Sequence, residues 1–145
     1  MEQEKTIYYD DMVVGREFKP YEYTMTKETI RKYAEAIADK NPLYNDEEAA
    51  KESPYGSIIA PPTSAAIYSI SAYKTEGKTP PGGIHARQKF EFVKPVLPGD
   101  RLEIIARVKD KFIKKERKYV ILDVTTTNQK GEVVVRSEMT AIWSQ

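Results

Sequence analysis

Two short segments in the first half of the chain contain groups that could do chemistry. In the first segment, Asp39 and Asn41 come just before Pro42, and Tyr44 follows it. A positioned carboxylate can take a proton from water and return it. A phenol with an ordinary pKa near 10 donates a hydrogen bond at neutral pH but is a poor base. A simpler interpretation makes Asp39 structural, either solvated or hydrogen-bonded to the turn that follows it.

The second segment is a predicted helix start at Pro61 and Pro62. A missing N–H costs nothing there, because the first N–H groups of a helix have no partner within it. From Thr63 to Tyr73 the sequence contains no charged residue. A helix that is small or apolar on every face is one that other structure surrounds. The segment therefore predicts a central helix whose start offers free backbone N–H groups to a site.

The elements that must position these groups are helices in the first half of the chain and strands in the second. A strand is expected over residues 21–25, and Thr26 is a suitable N-cap for a helix that runs into Asp39. The apolar residues of this helix recur at helical spacing. Pro42 ends it, because the residue before a proline is pushed out of the helical region. Asp46 is expected to cap a second, shorter helix.

Four further strands are expected over residues 84–93, 101–108, 118–127 and 133–143. Turn residues at 97–100 and 128–131 join them, and consecutive strands with short joins predict an antiparallel meander. One uncharged helix with about five such strands predicts an α+β hotdog fold, a single domain over residues 1–145 whose sheet curls around the helix. Because an exposed edge strand pairs readily with a second copy, we expect a dimer.

The composition excludes several classes of function. The 145 residues include 23 basic and 22 acidic side chains, a balance that gives no reason to expect a nucleic acid partner. No apolar run approaches the roughly 18 residues of a membrane span, and the first residues lack the order of a secretory signal. The chain has no cysteine and one histidine, which excludes disulfides, thiolate sites and a multi-histidine metal centre within one chain. We therefore expect a soluble cytoplasmic domain with no metal and no cofactor.

The segment YAEAIADKNPLYND resembles the hydratase motif of the MaoC-like (R)-specific enoyl-CoA hydratases, which reads broadly Y/F-A-x3-x-D-x-N-P-[LI]-H-x-D. The later segments IIAPPT, QKFEFVKPVLPGDRL and NQKGEVV match that family in order and spacing. The resemblance extends from Tyr21 onward. It is strongest to the branch written N-P-[IL]-Y-x-D … A-P-P-T, which includes N-terminal halves of fungal fatty-acid-synthase-like dehydratases and substrate-holding subunits of mycobacterial heterodimeric hydroxyacyl dehydratases.

This resemblance implies the reversible addition of water to the enoyl thioester of coenzyme A or an acyl carrier protein, giving a (3R)-3-hydroxyacyl product without a cofactor. In the family, an aspartate and a histidine hold and activate the water, and a backbone N–H at the start of the central helix bonds the thioester carbonyl. Asp39 matches the aspartate, and Asn41 with Pro42 matches the residues that shape the loop. Tyr44 stands where the family has its histidine, so either Asp39 is the only nearby base or the chemistry happens elsewhere.

A second departure from the family lies at the helix start, where Pro61 and Pro62 replace a His-Gly pair. Since Pro62 has no N–H, the contact to the thioester oxygen would fall to Thr63 or Ser64, or be absent. The sole histidine, His85, has several possible roles. It could be a structural or surface residue, line the acyl pocket, or replace the missing loop histidine across a dimer interface.

Three functions remain open from the sequence. The first is a homodimeric hydratase or dehydratase, and the second is a non-catalytic acyl-binding subunit that completes the pocket of a histidine-bearing MaoC-like partner. The third, a thioesterase, is disfavoured because residues 63–73 contain no carboxylate. A basic run over residues 109–118 would either stay solvated or dock the phosphates of coenzyme A or an acidic carrier protein.

Overall fold

Five antiparallel strands form a sheet in the computed structural model, which describes residues 3–145. The strands are β1 (Tyr21–Thr24), β2 (Ile84–Phe92), β3 (Arg101–Lys114), β4 (Arg117–Thr127) and β5 (Val133–Trp143). Their order across the sheet is β1-β3-β4-β5-β2. Buried and more exposed residues alternate along β3, β4 and β5, so one face of the sheet covers the core while the other meets solvent.

Short helices accompany the sheet: α1 (Lys27–Ala36), α2 (Pro42–Asn45), α3 (Glu47–Lys51) and α4 (Ala65–Ser69). Helix α4 continues into a 3₁₀ turn on each side, Pro62–Ser64 and Ile70–Tyr73, and we call residues 62–73 the central helix. The sheet wraps around this segment, which confirms the predicted α+β hotdog fold. Nowhere in residues 3–145 is a helix long and apolar enough to cross a membrane.

The predicted strands agree with the observed ones to within about one residue, except that β3 runs to Lys114, six residues beyond its predicted end at Val108. The predicted continuous meander is wrong. Strands β3, β4 and β5 are neighbours in turn, whereas β2 pairs with β5 at the far edge of the sheet. The connection after β2 cannot be a tight hairpin, because it packs Val96 under the start of the central helix. There the Ala60 N–H donates to the Val96 carbonyl at 2.8 Å. The connection then ends beside β1, where the Met25 N–H donates to the Asp100 carbonyl at 2.9 Å.

The central helix is only partly surrounded by its own chain, contrary to the prediction that structure covers every face. Ala65, Tyr68 and Ala72 are at most 1% exposed and pack into the core. Ile67 and Ile70, on the opposite side, are 39% and 37% exposed. The open side results from the sheet order, because β2 is an edge strand with no strand beyond it. One apolar stripe of the helix therefore remains free in the described part of the chain.

Helix α1 begins as predicted but ends at Ala36, so Asp39 lies beyond the helix and not in its last turn. Ala38 adopts the left-handed conformation, with φ of 54°. The Ala38 N–H donates to the Glu35 carbonyl at 3.0 Å, and the Asp39 N–H donates to the Ala34 carbonyl at 2.9 Å. These two bonds form a Schellman motif, which closes the helix and turns the chain away from it. The predicted run of the helix into Asp39 was therefore wrong.

Candidate active site

The loop after α1 is built by the polar residues that the sequence singled out. Asp39 Oδ1 accepts a hydrogen bond from the Asn41 N–H at 3.0 Å. Asn41 Oδ1 accepts one from the Leu43 N–H at 3.0 Å and so caps α2, a helix that the sequence reasoning missed. The structural interpretation of Asp39 is thus partly correct. Its second carboxylate oxygen, Oδ2, has no hydrogen-bond partner within residues 3–145.

The side chain of Asn45 stabilises this loop by hydrogen bonds to its backbone. Its side-chain amide donates to the Asp39 carbonyl at 3.3 Å and to the Asn41 carbonyl at 3.1 Å. Asp46 then caps α3, as predicted, by accepting from the Glu48 N–H at 3.1 Å. The sequence reasoning missed Asn45, although an asparagine close after a loop aspartate is a residue type that often bonds nearby backbone groups.

Tyr44 lies beside Asp39, partly buried against the hydrophobic core. Burial is the largest cause that raises the pKa of Tyr44, and the negative charge of Asp39 and the nearby Tyr55 add to it. Both effects disfavour the phenolate. Tyr44 is therefore a neutral hydrogen-bond donor at neutral pH. Tyr55, a neighbour that the sequence did not indicate, also lines the cleft described below.

At the start of the central helix, one of the two predicted N–H donors is already engaged. The Ser64 N–H donates to the Pro61 carbonyl at 2.9 Å. Pro62 has no N–H, and among the described residues the Thr63 N–H has no acceptor. Of the two donors that the sequence left open, Thr63 is the one that remains free for a ligand.

A hydrogen bond joins the loop and the helix start. The hydroxyl of Tyr33, on α1, donates to Thr63 Oγ1 at 2.9 Å. Because the Schellman motif ties Asp39 to the end of the same helix, the bond fixes Asp39 relative to Thr63. The structure thus brings the two predicted polar segments together. Sequence periodicity assigned Tyr33 to an apolar helix face, which hid this role.

Beside the helix start lies a cleft of about 280 Å³. Pro61, Pro62 and Ser64 line one side of it, and Phe92 and Lys94, from the end of β2 and the following connection, line another. Most of the remaining wall is apolar. A cleft of this size with a mostly apolar wall can hold an apolar ligand. Asp39, Tyr44 and Thr63 are not among the residues that line it.

His85 is not part of this group. It lines a different cleft of about 320 Å³ at the other end of the central helix, together with Tyr73 and Trp143. Its Nε2 lies 3.0 Å from Gln88 Oε1. Within one chain, the sole histidine therefore does not reach the predicted loop.

The basic run occupies the hairpin between β3 and β4, whose tip is Lys115 and Glu116, with φ of 48° and 63°. Some members of the run serve the fold. Lys109 pairs with Glu138 at 2.6 Å, and Lys111 Nζ lies 4.5 Å from the centre of the Tyr9 ring. The hairpin is at the His85 end of the sheet, remote from the cleft beside Pro62.

Comparison with known proteins gives consistent results. Residues 12–137 match the family model described as FAS1-like, dehydratase domain region. A UPF0336 protein of Saccharopolyspora erythraea is 34% identical over 140 residues, which are 92% of this chain and 90% of that protein.

Solved structures with a similar fold also include hydratases and dehydratases. The unliganded R-hydratase PhaJ1 of Pseudomonas aeruginosa has a TM-score of 0.81 and 26% identity, over 94% of this chain and 85% of that one. The MaoC-like dehydratase of Rhodospirillum rubrum has a TM-score of 0.82 and 28% identity, over 95% and 97%. The HadBC (3R)-hydroxyacyl-ACP dehydratase complex of Mycobacterium tuberculosis has a TM-score of 0.77 and 25% identity, over 90% and 96%.

Proposed function

Because this chain belongs to the MaoC-like family of hydratases and dehydratases, we propose that it adds water reversibly to a 2-enoyl thioester, giving the (3R)-3-hydroxyacyl thioester. The acyl group would be carried by coenzyme A or an acyl carrier protein. One observation carries the proposal. Tyr33, on the helix that precedes Asp39, bonds the Thr63 side chain, and among the described residues Asp39 Oδ2 and the Thr63 N–H have no hydrogen-bond partner. The Asp39 carboxylate suits the proton that leaves the water, and the Thr63 N–H suits the negative charge that develops on the thioester oxygen.

In the hydration direction, Asp39 Oδ2 accepts a proton from water as the water oxygen bonds to C3 of the substrate. The electrons of the double bond move onto the thioester oxygen, where the Thr63 N–H donates a hydrogen bond to the developing charge. The carboxylic acid of Asp39 then returns the proton to C2, and the sum is the addition of one water.

The other predicted residues support these two. Tyr44, neutral at working pH, donates a hydrogen bond to the water or to the product hydroxyl. Asn41, predicted to bind substrate, also shapes the loop by capping α2. Pro62 and Ser64 line the cleft for the acyl chain. No step in this scheme needs a metal or a cofactor.

A second candidate function is a non-catalytic subunit that binds the acyl chain for a histidine-bearing partner. Tyr44 favours it, because the loop lacks a second base, and so does the similarity to HadBC, which is a complex of subunits. The thioesterase function has no support from the site, since the central helix carries no carboxylate.

The test is hydration of crotonyl-CoA and of a longer enoyl-CoA by the chain purified alone, followed as loss of the enoyl-thioester absorbance. Gel filtration of the same sample gives the oligomeric state. Turnover that disappears in Asp39→Asn supports a self-sufficient enzyme. A folded protein that turns over neither substrate would contradict it and favour the binding subunit.

A further inference from the structure

The edge strand β2 carries a polar pair on the face that should be apolar. His85 stands opposite Ala141 on β5, and Gln88 stands opposite Met139. Both β5 residues are buried, so His85 and Gln88 lie on the core side of the sheet. A bulge at Ala86 causes this arrangement, because the extra residue moves His85 to the same face as Gln88.

The contacts of this pair define which nitrogen of the ring is free. The Gln88 amide nitrogen donates to the Lys89 carbonyl at 3.4 Å, which leaves Oε1 as the group facing His85. Oε1 therefore accepts from the Nε2–H of His85 at 3.0 Å, and Nδ1 keeps its lone pair. In the described residues Nδ1 has no partner, and the ring is exposed. An oriented hydrogen-bond acceptor thus faces the open side of the sheet.

A second copy of the chain is the occupant that fits this open side. The edge of β2 is unpaired, and the apolar groups beside it are exposed, namely Ile67 by 39%, Ile70 by 37% and Phe92 by 47%. An isologous dimer would extend the sheet across the two β2 strands and cover the apolar stripe of each central helix at once.

The charges on the solvent face of β2 select the register of that pairing. In an antiparallel pair with two-fold symmetry, centring on Gln88 sets Lys89 opposite Arg87, and centring on Lys89 sets Lys89 opposite itself. Centring on Phe90 sets Lys89 opposite Glu91 of the second copy, twice. Like charges directly opposite are destabilising and opposite charges are favourable, so the pairing centred on Phe90 is preferred.

In this register the polar pair of one chain comes close to the cleft of the second copy. Gln88 stands opposite Phe92, the last residue of the other β2, and His85 lies just past the end of that strand, beside residues 93 and 94. Phe92 and Lys94 both line the cleft beside the start of the central helix. Paired strands lie about 4.7–4.9 Å apart, well within reach of a histidine side chain.

We propose that His85, oriented by Gln88, enters the cleft of the second copy and supplies the histidine that Tyr44 does not. The proposal rests on the hydratase function proposed above. Nδ1 of His85 accepts a hydrogen bond from one O–H of the water while Asp39 of the other chain accepts the proton of the second O–H. The proton balance of the hydration is unchanged, and each active site is formed by two chains.

Disulfide trapping tests the pairing without any activity measurement. The natural chain has no cysteine, so a single Phe90→Cys substitution is the only thiol present. At the two-fold axis it would face its own copy at a Cα separation of about 4.5–5.5 Å, which a disulfide can span. Mild oxidation should give a dimer on a non-reducing gel. Gln88→Cys is the matched control and should stay monomeric on the gel. Cross-linking at Gln88→Cys and not at Phe90→Cys would overturn the register.

Mixed dimers test the contribution of His85. Asp39→Asn and His85→Ala chains with different affinity tags are co-expressed, and dimers that carry both tags are isolated. If His85 serves the other chain, each mixed dimer has one intact site and should turn over at about half the wild-type rate, while each variant alone is at least roughly 100-fold slower. Mixed dimers as slow as the single variants, or an unchanged rate in His85→Ala alone, would overturn the proposal.

Together, the two experiments distinguish a failure of the proposed hydratase function from a failure of the proposed shared site. A wild-type chain without hydratase activity that still cross-links at Phe90→Cys would remove the proposed function and leave the dimer intact. An active wild-type chain that does not cross-link at Phe90→Cys would remove the shared site and leave the hydratase function.

Discussion

The two ends of the central helix hold different halves of the chemistry. At the start, Tyr33, on the helix that precedes Asp39, bonds the side chain of Thr63, and no histidine lines the cleft beside it. At the other end, His85 is oriented by Gln88, and none of the described residues that line its cleft is acidic. Neither end alone resembles the acid–base pair of the family. In the proposed antiparallel dimer, the far end of one central helix lies beside the start of the other. The difference between the two helix ends therefore indicates a site that two chains complete.

The strongest test of the comparison is removal of the carboxylate at the start. Asp39→Asn keeps the shape and the acceptor for the Asn41 N–H but removes the base, so the hydration rate should fall by roughly 10²- to 10⁴-fold. Enoyl-CoA hydration measures the rate, and thermal melting checks the fold.

Asp46→Asn is the matched control for that substitution. Asp46 caps α3 a few residues further along, and asparagine caps a helix about as well as aspartate. Its rate should stay within about twofold of wild type, since Asp46 has no part in the proposed chemistry. Equal rates in Asp39→Asn and Asp46→Asn would show that Asp39 is only a structural residue of the loop.

The next largest effect should come from returning a histidine to the loop. In the His85→Ala background, Tyr44→His puts an imidazole beside Asp39 again, and the rate should recover by about tenfold or more because a second acceptor for the water is restored. Tyr44→Phe in the same background restores no acceptor and should give no recovery. If Tyr44→His also fails to restore the rate, a histidine at position 44 does not replace His85. The idea that the two ends of the central helix hold complementary groups then loses its main support.

Much of the fold could be predicted because it depends on local pattern. Strand β5 was predicted at its observed bounds, and the Asp46 cap is confirmed. The neighbour of β2 could not be predicted, since alternation identifies a strand without naming its partner. The face of His85 was hidden for a similar reason. Strict alternation places it with Arg87, and the bulge at Ala86 reverses this.

The candidate site was predicted in its residue types but not in its geometry. The loop residues and the helix start were identified, yet the free donor at the helix start depends on which carbonyl takes the Ser64 N–H. The Tyr33–Thr63 bond joins residues 30 positions apart and leaves no trace in local spacing. Contacts between distant segments are what the sequence of one chain does not disclose.

Alkaline titration tests the electrostatics around Tyr44 and Asp39, in the loop near the start of the central helix. Burial first, and then the charge of Asp39, raises the pKa of Tyr44. The stability from keeping this phenol neutral is fully present below pH of about 10 and is lost as the pH rises through the raised pKa. Unfolding measured between neutral and alkaline pH should therefore show a shallower loss of stability in Tyr44→Phe than in wild type.

Asp39→Asn provides the control for the charge, because it removes one cause and leaves the burial. The phenolate absorbance of Tyr44, obtained by difference from Tyr44→Phe, should then appear at lower pH than in the wild-type chain. An unchanged titration would mean that burial alone raises the pKa and that the Asp39 carboxylate lies too far from the phenol to affect it.

The smallest expected effect concerns backbone strain, which differs between the segment before Asp39 and the segment before His85. Before His85 a positive φ of 90° falls on Gly82, whereas before Asp39 a φ of 54° falls on Ala38, where a side chain makes it costly. Ala38→Gly should raise the free energy of unfolding by about 0.5–1 kcal/mol, with turnover within about twofold of wild type. Ala36→Gly, inside the end of α1, should lower it by a similar amount. Urea unfolding measures both. Destabilisation by Ala38→Gly would show that the alanine is favourable where it stands, and that the turn before Asp39 stores no strain.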